Sequence, residues 1–495
     1  MKHSSFENLL LHLSKYNTFG ILGFGKEGKS FLNFLLKNNK HNNKHNNKHN
    51  NKQKKYLEIK KIIIFDKNLT QNKLDIYLEN SANIYYNKNF KIILYSGKSY
   101  LEHLLESEIT VKAPGISCFH ENILDDDIKK YNITSLSNLF LNFFGHQTIG
   151  ITGTKGKSTT ASLLQHLFNC SGKKSFLVGN IGIPVFEILE KISEESIIIH
   201  EFSSHQLEKI TVGPRVAVLL NLFHEHLDYY ENKEKYFNAK KNIFKCDNFD
   251  NYISIENFNF VKNDQKLEKY NLRKNKYFFN KYAGNVSEKY LEKIQNISVH
   301  KDTIRVAKII SDIYTLFETE EEFITNVNNF ISLPHRLEIV DMQSNKNILY
   351  INDSISTIPE STIQGIIAAQ ELEKIKNKKL ETIILGGFDR GVCLEKLIDF
   401  VLESEIKNIF LIAQTGKNLE KKFKEKMKNI KFINNKNIIY KEKLEDIMPF
   451  VIENSSHNSI CLFSPSASSL DQYTNFEERG NHFKLLARTI EKKID

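Results

Sequence analysis

Short runs of apolar residues alternate with helical patterns along most of the chain, and several of these runs end in a polar residue. Buried strands of parallel sheets are typically continuous apolar runs, so the pattern predicts an α/β protein. The pattern restarts twice, which predicts three domains covering residues 1–145, 146–334 and 335–495. The predicted strands include residues 18–22, 61–66, 196–201, 215–221, 347–353, 381–387, 407–413 and 459–464.

The first predicted strand leads into a glycine-rich turn, Gly23-Phe-Gly25-Lys-Glu-Gly28, and the second strand ends at Asp66. A G-x-G-x-x-G turn followed by an acidic strand end is typical of a Rossmann-like unit, although the same residues also fit an ordinary strand–helix turn. Between them, at residues 38–55, lies a His-Asn-Asn-Lys repeat without apolar side chains. This composition predicts a solvated insertion, with metal binding by its histidines as the alternative.

Composition limits the kinds of partner and binding site that we expect for this chain. The net charge of +10 arises from 69 Lys+Arg and 59 Asp+Glu spread along the 495 residues, which argues against a nucleic-acid partner. The five cysteines are far apart and form no C-x-x-C pair, so we expect neither disulfides nor a structural zinc. We find no apolar run of the ~18 residues that a membrane span needs and no secretory segment, and we expect a cytoplasmic protein without a membrane partner.

The segment Gly150-Ile-Thr-Gly-Thr-Lys-Gly-Lys-Ser-Thr-Thr160 follows an apolar run and opens a helical pattern. Glycines let backbone N–H groups approach an anion, a lysine adds positive charge, and a hydroxyl can bind nucleotide-associated Mg²⁺. The match is to a shortened Walker pattern and predicts a central P-loop-type ATPase domain. Its nucleotide-binding residues are Gly153, Thr154, Lys155, Gly156, Lys157, Ser158 and Thr159.

Further polar residues stand at strand ends and at a predicted domain junction. Glu201 ends a strand and is placed like a Walker-B acid, while His224-Glu-His226-Leu-Asp228 predicts either a metal or phosphate site or an exposed turn. Arg336, at the junction, fits a bidentate phosphate donor or a salt bridge with an acid such as Glu338.

Together these segments resemble the Mur ligase family, the ATP-dependent amide-forming enzymes of peptidoglycan precursor synthesis. The resemblance rests on the glycine-rich start of the chain, Ala113–Ile116, Gly153–Ser158, His200–Leu207, Leu333–Glu338 and Ser464–Phe483. The last is similar to the signature of the branch that adds D-glutamate to UDP-N-acetylmuramoyl-L-alanine.

The resemblance implies a Rossmann-like N-terminal domain that binds the UDP substrate, a central ATPase domain and a Rossmann-like C-terminal domain that binds the amino acid. It implies a monomer that uses ATP and Mg²⁺ to join UDP-N-acetylmuramoyl-L-alanine to D-glutamate through an acyl phosphate. The implied catalytic residues are Lys157, Glu201, His226 and Lys240, where a carbamylated Lys240 joins Ser158, Glu201 and His226 as metal ligands. The other implied contacts are Arg336 and Asp353 for ATP, and Gly25, Asp66, Asn180, Arg390, Ser469 and Phe476 for the substrates.

The chain departs from this pattern in two places, because Lys301 and Ile304 stand where asparagines are common and Ile355 stands where many D-glutamate ligases have lysine. A dicarboxylic amino acid needs cations, and we hypothesise that Arg390 supplies the charge that is missing. Two alternatives remain: a ligase of the same family that adds L-alanine, a diamino acid or glutamate onto folate, and a non-catalytic nucleotide-binding protein.

Overall fold

The computed structural model describes residues 4–39, 56–82, 90–180, 182–222, 229–245, 250–253, 291–294, 296, 299–331, 333–340, 346–429 and 436–491. The chain divides into two compact units, the first comprising Met1–Ser287 and Arg305–Glu318, the second Glu288–Ile304 and Thr319–Asp495.

Parallel strands and helices alternate through both units, which confirms the predicted α/β class. The strands are β1 (Thr18–Leu22), β2 (Lys61–Asp66), β3 (Lys91–Ser96), β4 (Ile109–Lys112), β5 (Ile133–Thr134), β6 (Thr148–Thr152), β7 (Ser175–Gly179), β8 (Ile197–Glu201), β9 (Val216–Leu219), β10 (Asp250–Ile253), β11 (Glu338–Ile339), β12 (Leu349–Asn352), β13 (Lys379–Gly386), β14 (Asn408–Ile412), β15 (Asn437–Lys441) and β16 (Ser459–Phe463). The α-helices are α1 (Ser5–Leu13), α2 (Lys26–Asn38), α3 (Gln71–Ala82), α4 (Asp125–Lys130), α5 (Leu136–Phe144), α6 (Lys157–Cys170), α7 (Ser204–Leu207), α8 (Lys233–Lys241), α9 (Lys301–Tyr314), α10 (Glu320–Asn328), α11 (Pro359–Lys376), α12 (Glu395–Glu403), α13 (Ala413–Asn429), α14 (Leu444–Asn454) and α15 (Phe476–Glu491).

The first unit contains two parallel sheets. The N-terminal sheet has the order β3-β2-β1-β4-β5, the Rossmann-like arrangement that the glycine-rich turn predicts. The central sheet has the order β10-β9-β6-β8-β7. The residues of the shortened Walker pattern, Gly153–Thr159, form the phosphate-loop segment, which runs from the end of β6 into α6. The segment therefore lies at the carboxyl edge of the sheet, where open α/β sheets bind their ligands.

One hydrophobic core joins these two sheets, because side chains of α2 pack against the central part of the same unit. The ring centroid of Phe186 lies 5.7 Å from that of Phe31 and 5.0 Å from that of Phe34, both in edge-to-face geometry. This packing brings the glycine-rich turn before α2 close to the central sheet.

The second unit contains a six-stranded sheet of order β11-β12-β16-β13-β14-β15, parallel except for β11. The four strands predicted here are β12, β13, β14 and β16, and the structure confirms all four. The short β11 and the half-buried β15 are additional.

The predicted insertion at residues 38–55 falls mainly outside the described residues. Helix α2 extends through the buried Asn38, and Asn39 forms a β-bridge with Leu57. The His-Asn-Asn-Lys repeat itself lies outside the residues that the structure describes.

Candidate active site

The phosphate-loop segment forms a tight turn whose glycines have positive φ angles. Gly153 has φ +154 and Gly156, the residue before α6, has φ +82. A Cβ on Gly153 would lie 3.0 Å from the Cβ of Leu220 and 3.2 Å from the backbone nitrogen of Asn221. A side chain at this glycine would therefore require the neighbouring residues to shift. The N-terminus of α6 provides the partial positive charge that favours phosphate.

Asn221, which follows β9, holds the loop in shape through three hydrogen bonds. Its carbonyl accepts from the N–H of Thr154 (2.9 Å), its Oδ1 accepts from the N–H of Lys155 (2.8 Å), and its Nδ2 donates to the Lys155 carbonyl (3.1 Å). The loop is therefore pre-formed in the protein.

Two lysines converge on one carbonyl oxygen of the loop. The Nζ of Lys157 donates to the carbonyls of Gly153 (2.9 Å) and Thr154 (2.8 Å). The Nζ of Lys240, on α8 and only 2% exposed, donates to the same Gly153 oxygen (2.8 Å). Two ammonium groups beside a helix N-terminus make this turn strongly attractive to a polyanion.

Glu201, at the end of β8, is completely buried and lies opposite Ile151 of β6 in the sheet. Its Oε1 accepts from Nδ2 of Asn180 (2.9 Å), and among the described residues its Oε2 has no hydrogen-bond partner. A buried carboxylate oxygen without a partner is costly unless a cation or water satisfies it, so Glu201 fits a Mg²⁺ ligand.

A cavity of about 460 Å³ lies between the glycine-rich turn and the central part of the first unit. Three predicted substrate-binding residues, Gly25, Asp66 and Asn180, line it together. Asp66 also shapes the turn, since its Oδ2 accepts from the N–H of Phe24 (2.8 Å). A volume of this size accommodates a small-molecule ligand.

Glu27 also lines this cavity and accepts a hydrogen bond at Oε1 from Nε2 of Gln206 (2.7 Å). Burial raises the pKa of the Glu27 carboxyl, and the hydrogen bond from Gln206 opposes that effect. The Glu27–Gln206 contact ties α2 to α7, so the cavity has walls from both sheets of the unit.

The Ala113–Ile116 turn on another side of the cavity is held by two long side chains. The buried Nζ of Lys112 donates to the carbonyl of Ile116 (2.7 Å), and the hydroxyl of Tyr229 donates to the carbonyls of Pro114 (3.1 Å) and Ile116 (2.9 Å). Tyr229 belongs to the central part of the unit, so this wall is also fixed by contacts between the two sheets.

In the second unit, Asp353 follows β12 and is buried in a cluster of hydroxyl groups. Its Oδ2 accepts from Oγ of Ser356 (2.5 Å) and Ser464 (2.8 Å), and its Oδ1 accepts from the N–H of Leu337 (3.3 Å). Burial raises the pKa of Asp353 to about 6, while the hydrogen bonds and the charge of Arg336 act in the opposite direction. The structure thus places the predicted ATP contacts Arg336 and Asp353 close together.

The predicted amino-acid contacts lie at the carboxyl edge of the second unit's sheet. Arg390 is exposed and, with Thr357, lines a small indentation bounded by Ser466 and Ser468. Ser469 is buried beside this segment, and the half-buried Phe476 begins α15. Ile355 follows Ser354 in the loop after β12.

Several predicted residues cannot be placed. His226, with His224, Glu225 and Asp228, lies outside the described residues. In the part of the chain that is described, no three His, Cys, Asp or Glu side chains gather as a metal site. No helix within the described ranges is long and apolar enough to cross a bilayer.

Comparison with known proteins identifies the family. A model of the Mur ligase middle domain matches residues 151–346. A UDP-N-acetylmuramoylalanine–D-glutamate ligase from Clostridium acetobutylicum is 30% identical to this chain over 80% of the chain and 85% of its own length. The chain belongs to the Mur ligase family.

Other relatives of this Mur ligase match over almost their whole length. The ligase of the same name from Buchnera aphidicola is 30% identical and covers 96% of this chain and 99% of its own. The solved structure of MurF ligase from Thermotoga maritima in complex with ADP superimposes with a TM-score of 0.54, at 14% identity, over 88% of this chain and 96% of that one. At this identity the structural likeness supports the fold alone.

Sequence reasoning did not assign a role to four residues that shape the sites of this Mur ligase: Lys112, Gln206, Tyr229 and Arg479. The signal for Lys112 was a lone lysine ending an apolar strand, and Gln206 and Arg479 stand inside segments that carry the family resemblance. No local signal distinguishes Tyr229, because the two carbonyls of the cavity wall that it contacts are more than 100 residues away in the chain.

Proposed function

We propose that this Mur ligase joins D-glutamate to UDP-N-acetylmuramoyl-L-alanine with cleavage of ATP to ADP and phosphate, as a cytoplasmic monomer. The observation that carries the proposal is the convergence of Lys157 and Lys240 on the phosphate loop, beside a strand that ends in the buried Glu201. The names of the curated relatives, which span most of this chain, supply the substrates.

The chemistry has two steps. A carboxylate is a poor electrophile, so an oxygen of the L-alanyl carboxylate attacks the γ-phosphorus of ATP, the bond to the bridging oxygen breaks, and ADP leaves. The amine of D-glutamate then attacks the acyl carbon of the acyl phosphate, an amide bond forms, and phosphate leaves with one of the original carboxylate oxygens. The amine loses its proton during this second step.

The phosphate-loop residues suit the first step. Lys157 donates to two loop carbonyls, so it can exchange these neutral partners for phosphate oxygens without moving far. Glu201 and Ser158 would hold Mg²⁺, which when bound neutralises charge on the phosphates. Lys240 is unmodified in the structure; its carbamylation, which the family resemblance implies, would convert it into an anionic metal ligand and leave Lys157 as the cation of the loop.

The cavity of the first unit suits the UDP substrate. Asn180 lines the cavity and also donates to Glu201, so a ligand there would lie close to the predicted metal site. An occupant held by Gly25, Asp66 and Asn180 could therefore extend its carboxylate toward the phosphate loop. Walls from both sheets help to exclude water, which protects an acyl phosphate from hydrolysis.

The second unit suits the remaining ligands. Arg336 and Asp353 would contact ATP, and Arg390, Ser469 and Phe476 would hold D-glutamate. Arg390 is exposed at the indentation next to Thr357, which leaves its guanidinium available for a carboxylate and supports the hypothesis that it replaces the lysine absent at Ile355.

The test is release of ADP and phosphate by purified protein with ATP, Mg²⁺ and UDP-N-acetylmuramoyl-L-alanine. D-glutamate, L-glutamate, L-alanine and diaminopimelate are compared as acceptors. We expect turnover with D-glutamate alone. Turnover with another amino acid would move the protein elsewhere in the family, and ATP binding without turnover under any acceptor would refute an enzymatic function.

Two lysine variants make the test specific for the site. Lys157→Met removes the charge at the phosphate loop and should lower kcat at least 100-fold, since phosphate clamps contribute several kcal/mol to phosphoryl transfer. Lys424→Met is the matched control, because this lysine is exposed on α13 and pairs with Glu420. Equal effects of both variants would contradict the assignment of the loop.

A further inference from the structure

Arg479, on α15 of the second unit, is a buried guanidinium that is only 1% exposed. Its Nη1 donates to the carbonyls of Ala467 (3.0 Å) and Ser468 (3.1 Å). Its Nε donates to Oγ of Ser354 (3.1 Å), and its Nη2 donates to the carbonyl of the same serine (2.7 Å). The side chain thus donates four hydrogen bonds to two separate turns.

These contacts lie where three adjacent parallel strands of the sheet end. Ser354 follows β12, and the turn with Ala467 and Ser468 follows β16. Gly387 follows β13, and a Cβ there would lie 2.9 Å from Nη1 of Arg479. The guanidinium therefore occupies the point at which the loops of β12, β16 and β13 meet.

The acceptors of Arg479 are neutral, although a buried cation usually has an anionic partner. Burial lowers the pKa of the guanidinium to about 10, so the group is still a cation at neutral pH. Among the described residues no carboxylate forms an ion pair with it, and the charge of Asp471 acts on it only from a longer distance, where it raises the pKa of the guanidinium. The desolvation of such a group is costly, and the four hydrogen bonds that the guanidinium donates to the two turns offset part of that cost.

The turn that Arg479 holds forms one wall of the indentation next to Arg390. Ala467 and Ser468 line it together with Thr357, which lies three residues after Ser354 in the loop that Arg479 also holds. We propose that Arg479 is a positioning residue for the acceptor amino acid, because its planar guanidinium fixes the distance between the Ser354 turn and the Ala467–Ser468 turn. This inference rests on the proposed function, since it takes the indentation as part of the amino-acid site.

A planar guanidinium can serve four acceptors in two directions, whereas an ammonium on a lysine stem is a single point that cannot reach both turns at once. Arg479→Lys therefore keeps the charge and loses the geometry. We expect it to raise the KM for D-glutamate at least tenfold, with the KM for ATP and for the UDP substrate changed less than twofold and kcat changed less than threefold.

Two further variants separate positioning from general loss of structure. Ser354→Ala removes one acceptor of Arg479 and the donor to the Phe476 carbonyl, and should raise the same KM by two- to fivefold while lowering the thermal unfolding midpoint by only a few degrees. Arg488→Lys, the same chemical change at an exposed position of α15, is the matched control and should leave every kinetic constant unchanged.

A wild-type KM for D-glutamate in Arg479→Lys would overturn the proposal. If that variant does not fold, Ser354→Ala decides: an unchanged KM for D-glutamate, or equal changes for all three substrates, would also overturn it. If the wild-type protein uses a different amino acid, the proposed function fails and the same comparison is made with that acceptor. If the wild-type protein accepts none, both fail.

Discussion

Replacement of the buried Asp353 by asparagine should stabilise the protein above pH 6. The pKa of this carboxyl is about 6 in the folded protein, against its ordinary value of 3.8, and burial is the largest cause. Between these two pKa values the folded state binds more protons than the unfolded state, so stability from this group falls as pH rises through that window.

The magnitude follows from the size of the shift. The pKa rises from 3.8 to about 6, and each unit corresponds to about 1.4 kcal/mol. At pH 7 the ionised carboxylate therefore lowers the free energy of unfolding by roughly 3 kcal/mol relative to a group without the shift. An asparagine oxygen in the position of Oδ2 keeps the acceptor for both Ser356 and Ser464 but places an amide N–H₂ against the N–H of Leu337, so we expect a net gain of about 1–2 kcal/mol.

The assay measures the free energy of denaturant unfolding of the wild type and Asp353→Asn between pH 4.5 and pH 8, with a signal that reports on the second unit. The free energy of unfolding of the variant, relative to that of the wild type, should increase as pH rises toward 6. Above pH 6 the difference should stay constant. Asp446→Asn, at an exposed position of α14, is the matched control for the change from acid to amide.

A difference between Asp353→Asn and the wild type that does not depend on pH would refute the reasoning. Activity is expected to move in the opposite direction, with a raised KM for ATP, because Asp353 is a predicted ATP contact. A residue that lowers stability while serving function is a common feature of active sites.

Three other variants test separate parts of the account. Gly156→Ala introduces a side chain at φ +82 and should cost about 1–2 kcal/mol of stability while reducing turnover, which unfolding and kinetic assays measure; an unaffected turnover would contradict the loop's role. His200→Leu should raise the free energy of unfolding by about 1–3 kcal/mol, since this fully buried imidazole has no hydrogen-bond partner on either nitrogen among the described residues, and a loss of stability would show that the ring is satisfied. Arg390→Ala should raise the KM for D-glutamate and leave the KM for ATP unchanged. An unchanged KM for D-glutamate would refute the assignment of Arg390 as the cation that replaces the lysine absent at position 355.

Much of the fold was predictable because its signals are local. Continuous apolar runs marked β6, β8 and β16, and the glycines of the phosphate loop marked the turn that β6 leads into. Strand β15 was not predicted, because its residues are half-buried and a mixed sequence at the edge of a sheet carries a weaker apolar signal.

The site was only partly predictable because its geometry comes from distant contacts. The convergence of Lys157 and Lys240 on one carbonyl depends on how α8 packs against the loop, more than 80 residues earlier in the chain. The role of Arg479 depends on the register of three strands, which places Ser354 and Ala467 on the same guanidinium. Neither relation is visible in residue type or spacing.

The most direct test of the central claim follows oxygen atoms through the reaction. UDP-N-acetylmuramoyl-L-alanine labelled with ¹⁸O in both carboxylate oxygens is turned over with ATP and D-glutamate, and the released phosphate is analysed by mass. The account predicts one ¹⁸O in each phosphate and one in the new amide. Phosphate without ¹⁸O would contradict an acyl-phosphate route, and with it the chemistry proposed for this site.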